Sequence, residues 1–312
     1  MITNSDIQNR YENLRPREDE REGNRYLPVC VSAVRRLTSG EGSSELPQEQ
    51  HESREGWIVI RVFPRIEDTK LMALFRKGVE GQWSAAQIDW EQPLLLDPQE
   101  QKALAHVLTP IYLGEQTAMV GASSVIPQFF SAHQTEAQLY LATFLLDEAR
   151  HFETLTRFYH KINQRPLEVR DLKVIFRYQA RLFKSRDKVE WLWGILVSDI
   201  FARHFYGIIA KAHPGSLFAH IAGRILTDEA RHLAFAELYL KAALARSPEL
   251  KPVFLKMRDE LLVLVREIYL GVKEKAMFIG LDENLLFGGV TEDIEKKVQR
   301  LAMADTEQDS AE

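Results

Sequence analysis

The chain has 312 residues, 45% of them hydrophobic, which is enough for a substantial core in one large domain or two ordinary ones. Its formal net charge is −5 and its pI is near 6.0, so it has no global basic field that would recruit nucleic acid or an acidic membrane. Cys30 is the single cysteine, which excludes an intrachain disulfide and a multi-cysteine metal site.

The N-terminal part of the chain differs in composition from the rest. Residues 1 to about 25 are dense in charge, which predicts a tail or loosely docked arm and is unlike a secretion signal. Residues 27–34 and 57–63 are rich in β-branched side chains and predict two short strands, separated by a polar, Gly/Ser-rich loop at 38–56. We expect residues 1–65 to be an N-terminal extension with a small β-hairpin.

From about residue 98 the hydrophobic pattern is helical. Asp97 and Pro98 form a plausible cap and first turn, and Pro127 is an expected helix end. We predict helices at 98 to about 127, 135–162, 172–211 with a break near 185–187, 217–245, 252–277 and 292–303. No stretch approaches the ~20 consecutive apolar residues of a membrane span. The single cysteine fits a reducing compartment, and we expect a cytoplasmic protein. The helical domain is expected to cover residues 66–305, with a flexible tail at 306–312.

The sequence Asp-Glu-Ala-Arg-His occurs twice, at residues 147–151 and 228–232. Each copy places a Glu three residues before a His, as Glu148/His151 and Glu229/His232. On an α-helix this spacing puts the two side chains about 60° apart and one turn along, so both can reach one point. Two facing helices with this motif would supply most of a dinuclear metal site, although structural ion pairs are the simpler account of either copy alone.

A bundle site of this kind needs one more carboxylate from each of the other two helices. Glu115 is the only acidic residue between Glu100 and Glu136, so the choice on the first helix is well constrained. Reflection of Glu229 across the connector 213–216 leads to Asp199, which lies in an apolar run where an unpaired carboxylate would be costly to bury. Glu190 is the rival, more than two turns further from the connector.

The predicted metal ligands are therefore four carboxylates and two imidazoles: Glu115, Glu148, His151, Asp199, Glu229 and His232. Four negative charges balance two divalent metal ions. Oxygen and imidazole ligands without thiolate suit iron or manganese, with selection among metals left to geometry and availability. We expect two metal ions, Fe/Fe in the first place and Mn/Fe as the alternative, with O₂ as co-substrate.

The motifs resemble the ribonucleotide-reductase-like branch of the ferritin-like superfamily, including its ligand-binding oxidases. The segment 227–235 is similar to the Asp-Glu-x-x-His of the reductase small subunit, 82–90 resembles an aromatic-x-x-x-x-Ile-Asp entry segment, and 71–78 resembles the lead-in of the oxidases. The similarity covers roughly residues 70–240. It implies an all-α fold, a ferritin-like four-helix bundle with additional helices and the N-terminal β-containing extension.

The resemblance also implies roles for residues around the ligands. Asp228 would accept a hydrogen bond from the imidazole of His151 and fix its tautomer. Trp83 would lie behind Asp228 as an electron relay, and an ordinary core anchor is the alternative for this residue. For Asp147, Arg150 and Arg231, we expect ion pairs that stabilise the bundle rather than catalysis.

Two departures from the family pattern disfavour particular functions that occur in the family. The reductase's radical Tyr lies one turn after the first motif His, where this chain has Leu155, and the tail lacks a radical-relaying aromatic residue. Arylamine N-oxygenases of the superfamily have a third His one turn before the last motif Glu. This chain has Ile225 at that position, which disfavours an N-oxygenase, although His204 could offer an unusual extra ligand.

We therefore expect a di-iron carboxylate oxidoreductase, an O₂-dependent oxidase or oxygenase that acts on a small apolar or aromatic molecule bound in the bundle. The alternatives are a ferritin-type iron-storage protein, a radical-generating reductase-like subunit, and a non-catalytic helical protein with structural ion pairs. An electron donor and a homodimer are the expected partners.

Overall fold

The computed structural model describes residues 66, 69–185 and 187–302. Within this part of the chain all regular structure is helical, so the predicted all-α class is confirmed. The helices are α1 Lys70–Glu80, α2 Pro98–Ser131, α3 Thr135–Lys161, α4 Lys173–Phe183, α5 Lys188–Ala212, α6 Leu217–Arg246, α7 Lys251–Phe278 and α8 Glu283–Arg300. The arm, strands and loop expected in residues 1–65, and the tail expected at 306–312, lie outside the described residues.

Four long helices form the central bundle. Helix α2 packs along α3 and α5 packs along α6, while α2 also contacts α5 and α3 contacts α6. Short connectors make the members of each pair antiparallel neighbours. Helix α1 packs on α3 and α6, α4 and α7 cover α2 and α5, and α8 packs on α5. The two halves that the repeated motif predicted are thus two helix pairs of one bundle.

Helix α2 begins as predicted and ends later than predicted. The Asp97 carboxylate accepts hydrogen bonds from the backbone N–H groups of Gln99 and Glu100, and Pro98 occupies the first turn. Pro127 was expected to end the helix, but α2 continues to Ser131. Val125 and Phe129, one turn apart, are both buried in the core, and this packing outweighs the N–H that proline lacks.

The predicted break at 185–187 is confirmed, because α4 ends at Phe183 and the Asp187 side chain caps the start of α5. The last helix was predicted to start near residue 292 and instead starts at Glu283, capped by Asp282. Its buried residues recur every fourth position, as Leu286, Val290, Ile294 and Val298. This buried stripe begins at Leu286, before the predicted start, which is why the helix is longer than expected.

Helix α5 is the one described helix that is long and apolar enough, by length and composition, to cross a membrane. However, 61% of its most apolar stretch is buried inside the helical body, so burial in the core accounts for this composition.

Candidate metal centre

The six predicted ligands come together in the centre of the bundle. Each of the four central helices contributes: α2 carries Glu115, α5 carries Asp199, and α3 and α6 each carry one Glu-x-x-His pair. All six are buried, with 0–7% of each residue exposed. The helix faces that carry these six residues are otherwise apolar and pack in the core, so the polar side chains are buried with them.

The six side chains form two groups that meet at Glu229. Glu115, Glu148, His151 and Glu229 place ligand atoms within 4.8 Å of one another, and so do Asp199, Glu229 and His232. Glu148 also reaches the second group, because one of its carboxylate oxygens lies 3.2 Å from Nδ1 of His232. Glu229 thus belongs to both groups, and Glu148 lies near both. Two carboxylates placed between two groups of ligands are the arrangement expected of a dinuclear site.

Several polar atoms of these residues have no hydrogen-bond partner although they are buried. They are Nδ1 of His151, Nδ1 of His232, and one carboxylate oxygen each of Asp199 and Glu229. Orphaned buried polar atoms are rare in folded proteins because their desolvation is not repaid. A pair of cations at the centre would satisfy all of them, so the donor set fits two metal ions.

The carboxylates repel one another without such cations. Burial, together with the nearby charges of Glu115 and Glu229, raises the pKa of Glu148 well above its usual value. Burial and the charge of Glu229 raise the pKa of Asp199 in the same way. Burial alone would also raise the pKa of Glu115, but the interaction of its carboxylate with the His151 imidazole lowers it. The group is therefore built to be compensated by positive charge.

The Nε2 atom of each imidazole is within hydrogen-bond distance of the aspartate of the other motif copy. Nε2 of His151 lies 3.1 Å from Oδ2 of Asp228, and Nε2 of His232 lies 3.3 Å from Oδ2 of Asp147. The structure thus places Asp228 against His151, where the resemblance implied it; its part in metal binding stays a prediction. These bonds use Nε2 and leave Nδ1 facing the carboxylates, which fixes the ring nitrogen that is available to a metal.

The Asp147–His232 contact was missed at the sequence level, where Asp147 was expected only to form ion pairs. The signal was present, because the two motif copies are identical: if the aspartate of one copy serves the histidine of the other, the reciprocal contact follows from the same geometry. The pair completes a reciprocal arrangement in which the aspartate of each motif copy contacts the histidine of the other copy.

Two arginines neutralise these aspartates. Arg150 donates to Asp147 at 2.5 Å and to Asp228 at 2.8 Å, and Arg231 contacts both at 2.8 Å. Asp147, Arg150 and Arg231 thus form the ion pairs that were predicted for them, and their structural rather than catalytic role stays a prediction. Two aspartates and two arginines have no net charge, so this outer layer leaves the charge balance of the four inner carboxylates unchanged.

The imidazoles are protonated when no cation is present. Burial lowers the pKa of His151, but the hydrogen bond with Asp228 and the nearby carboxylate of Glu115 more than offset it and raise the pKa to about 9. For His232, burial likewise lowers the pKa, whereas Asp147 and Glu229 raise it to about 10. A cation at the centre would have to displace both protons, because a metal binds the neutral ring.

Trp83 lies where the resemblance placed it. Its indole Nε1 donates to Oδ2 of Asp228 at 2.8 Å, and the guanidinium of Arg150 lies 4.6 Å from the ring centroid. Trp83, Asp228 and His151 therefore form one continuous hydrogen-bonded path from the edge of the bundle to its centre. Gln82 reinforces this arrangement, since it donates to Asp147 and accepts from Arg150.

One further contact to the centre was not anticipated from the sequence. The hydroxyl of Tyr206, on α5, donates to Glu115 at 3.0 Å, and burial together with the Glu115 charge raises the pKa of Tyr206 well above its usual value. Tyr206 lies two turns after Asp199, on the same side of α5, which is the signal that could have identified it.

Two candidate residues lie elsewhere. Glu190, the rival of Asp199, forms an ion pair with Arg181 at 3.3 Å near the start of α5. His204 contacts Asp293 of α8 at 2.9 Å and is not in either ligand group. The choice of Asp199 over Glu190 thus agrees with the positions of the side chains.

A cavity reaches the centre from the side of α2, α4, α5 and α7. It contains about 740 Å³ of empty space, its opening to solvent included, and four of the predicted ligands line it: Glu115, Glu148, Asp199 and Glu229. The other walls are mostly apolar, with Ile111, Ala118, Ile175, Leu182 and Ile195 among them.

No family model and no curated protein matches the sequence. Solved structures do. A variant of R2-like ligand-binding oxidase with an aerobically reconstituted Mn/Fe cofactor is 18% identical, with a TM-score of 0.64 over 76% of this chain and 95% of that chain. A second variant, with an aerobically reconstituted Fe/Fe cofactor, is 16% identical with a TM-score of 0.65 over the same shares. The likeness shows the fold, which is the ferritin-like bundle that the motifs predicted.

Proposed function

We propose that the protein is an O₂-dependent oxidoreductase with a dinuclear metal centre, acting on a small organic molecule bound in the cavity. The observation that carries the proposal is the pair of buried ligand groups that share Glu229 and have both histidine Nδ1 atoms free. Support also comes from the proteins of similar fold, which are named oxidases with Mn/Fe or Fe/Fe cofactors. We propose Fe/Fe as the metal pair and Mn/Fe as the alternative.

The six residues have distinct parts in this proposal. Glu115 and His151 would hold one metal, Asp199 and His232 would hold the other, and Glu148 and Glu229, which lie near both groups, would complete the donor set. Bound redox-active metals would supply electrons for the reduction of O₂. Asp147 and Asp228 keep the imidazoles oriented and in the tautomer with Nδ1 free.

Apolar side chains beside the proposed ligands would keep water away from the reacting groups. Phe144 packs against the ring of His232, with ring centroids 4.4 Å apart, and Leu155 is fully buried beside the first motif. Such apolar walls exclude water from the reacting groups. Trp83 would pass electrons towards His151 through Asp228, with a core anchor as the alternative role. The electron donor, a homodimer and a cytoplasmic location stay predictions.

The deciding experiment is metal content per chain, measured by mass spectrometry after anaerobic reconstitution with Fe(II) and Mn(II) and desalting. We expect close to two metals per chain, and O₂ uptake when air is admitted. Near zero metal would contradict the proposal and favour purely structural ion pairs. Retention of many iron atoms per chain as mineral would instead support iron storage.

A separate measurement tests the alternative of a radical-generating, reductase-like subunit. A radical-generating subunit should give a tyrosyl radical signal in electron paramagnetic resonance after exposure of the reconstituted protein to O₂. We expect none from the reductase position, because Leu155 stands there.

A further inference from the structure

A second void, here called the apolar pocket, lies beside the larger cavity that reaches the predicted ligands. We infer that the apolar pocket is a binding site for molecular oxygen, from which O₂ reaches the metal centre. This inference rests on the proposed function, since it concerns the co-substrate of the same site. It follows from the size, the lining and the position of the apolar pocket.

The first observation is the size of the apolar pocket. The centre of a water-sized sphere can reach about 10 Å³ of it, compared with about 80 Å³ of the larger cavity. This is room for about one small molecule. An organic substrate therefore needs the larger cavity, whereas a diatomic gas is small enough for the apolar pocket.

The second observation is the lining of the apolar pocket. Among the described residues that form it, eight of nine side chains are hydrocarbon, with Val107, Phe205, Val272 and Leu281 among them. The ninth is Tyr269, whose hydroxyl already donates to the backbone carbonyl oxygen of Leu281 at 2.9 Å. Voids without polar partners stay dry and bind apolar guests such as xenon. Molecular oxygen is also apolar, so the lining favours O₂ over water.

The third observation is that the apolar pocket and the larger cavity share part of their walls. Pro110, Ile111, Phe201 and Ile268 line both spaces, so these side chains lie between them. Core side chains are closely packed but do change rotamer. A molecule as small as O₂ can pass between such side chains when they move, whereas a larger organic molecule cannot.

Two of the shared wall residues are close to predicted ligands along their helices. Ile111 lies about one turn before Glu115 on α2, and Phe201 lies two residues after Asp199 on α5. Glu115 and Asp199 themselves line the larger cavity, so an organic molecule bound there would cover that approach to them. A separate site for O₂ would keep the gas beside the centre while the organic substrate is bound.

The test uses xenon, an apolar gas that binds in dry voids and is readily located by X-rays. Crystals of the full-length, metal-free protein are pressurised with xenon, and its position is determined by anomalous diffraction. We expect one xenon atom in the apolar pocket, between α2, α5 and α7. Xenon found only in the larger cavity, or in neither space, would overturn the inference.

Variants of Val272, which lines the apolar pocket and not the larger cavity, connect this void to the use of O₂. Val272→Phe should fill the pocket and remove the bound xenon. In stopped-flow experiments at low O₂ concentration, it should also slow the reaction of the Fe(II)-loaded protein several-fold, with unchanged metal content. Val272→Ala should raise xenon occupancy at a given pressure, because it enlarges the void, and misfolding could not produce this gain.

Val263→Phe is the matched control. It makes the same change on α7 at a residue that is 58% exposed and lines neither space, so xenon occupancy and the O₂ reaction rate should not change.

An O₂ reaction that is as fast in Val272→Phe as in Val263→Phe would overturn the inference even if xenon binds in the wild type. No gain of xenon occupancy in Val272→Ala would overturn it as well. Failure of the proposed function would be seen separately, as protein that retains no metal. Xenon binding needs neither metal nor turnover, so the two failures are distinguishable.

Discussion

At the residue scale, each of the two motif histidines has one nitrogen facing the centre and the other facing an aspartate. Each aspartate contacts the histidine of the other motif copy: Asp228 lies against His151, and Asp147 lies against His232. Because both pairs are fully buried, the imidazoles cannot rotate without breaking these bonds. The proposed metal ligands would therefore be oriented by the protein itself, without help from a bound ion.

The sharing of Glu229 predicts how metal content depends on single ligands. Glu229→Ala should lose both metals, because Glu229 belongs to both ligand groups. Asp199→Ala removes a residue of one group only and should retain about one metal per chain, held by Glu115, Glu148 and His151. Metal analysis after reconstitution measures both, with circular dichroism to check that each variant is helical. Two metals retained by Glu229→Ala would contradict the ligand assignment.

The exchanged aspartates give a second prediction. Asp147→Asn and Asp228→Asn should each lower metal affinity by about 10-fold to 100-fold, the usual effect of losing a carboxylate behind a metal-binding imidazole. Competition with a chelator of known affinity measures the change.

Asp259→Asn is the matched control for these variants. Its side chain is 65% exposed and paired only with the neighbouring Arg258, so metal affinity should not change. If Asp147→Asn behaved like this control, the Asp147–His232 contact would have no part in metal binding.

At the scale of helices, the close approach of α2 and α5 brings Glu115 and Asp199 to the same centre. Gly121 of α2 is buried against the Trp191 indole of α5, and a Cβ at this position would overlap the indole nitrogen. Glycine is required here because the contact leaves no room for a side chain.

Gly121→Ala should therefore destabilise the fold by about 1–3 kcal/mol, the usual cost of overpacking a core. Gly223→Ala is the matched control: Gly223 is exposed in α6, its added Cβ would meet nothing within 4 Å, and alanine there should stabilise the helix by about 0.5–1 kcal/mol. Urea unfolding of both variants measures the difference. Equal stabilities would show that α2 and α5 can separate at no cost.

Most helices could be predicted from the sequence, and the errors have identifiable causes. The break at 185–187 and the connector at 213–216 were marked by local residues such as Asp187 and Pro214. The continuation of α2 past Pro127 and the early start of α8 were not, because each depends on packing against another helix. Local propensity is a weak signal wherever a buried stripe opposes it.

At the scale of the whole molecule, the metal centre ties stability to pH. In the folded, metal-free protein the pKa of His151 is raised to about 9 and that of His232 to about 10, both above the unfolded value of about 6.5. The stabilisation from their charged forms is fully present below about pH 6.5 and is lost as pH rises through the folded values.

The metal-free protein should therefore be less stable at pH 10 than at pH 7, and the extra stability conferred by bound metal should increase over the same range. Thermal unfolding with and without a chelator, at several pH values, measures this. The raised pKa values of Glu148 and Asp199 act in the same direction, since their ionisation is unfavourable in the metal-free fold. A metal-free protein with equal stability at pH 7 and pH 10 would contradict the assigned protonation states.

The sequence by itself determined the helical class and the six candidate ligands, because helical spacing and hydrophobic periodicity are local properties of the chain. Glu115 and Asp199 could be chosen because few acidic residues occur in the apolar parts of their helices. Only the tertiary structure decided that Asp147 serves His232 and that Tyr206 donates to Glu115. It also decided that a small apolar pocket lies beside the larger cavity. These facts depend on hydrogen bonds and packing between residues far apart in the chain, which no local pattern encodes.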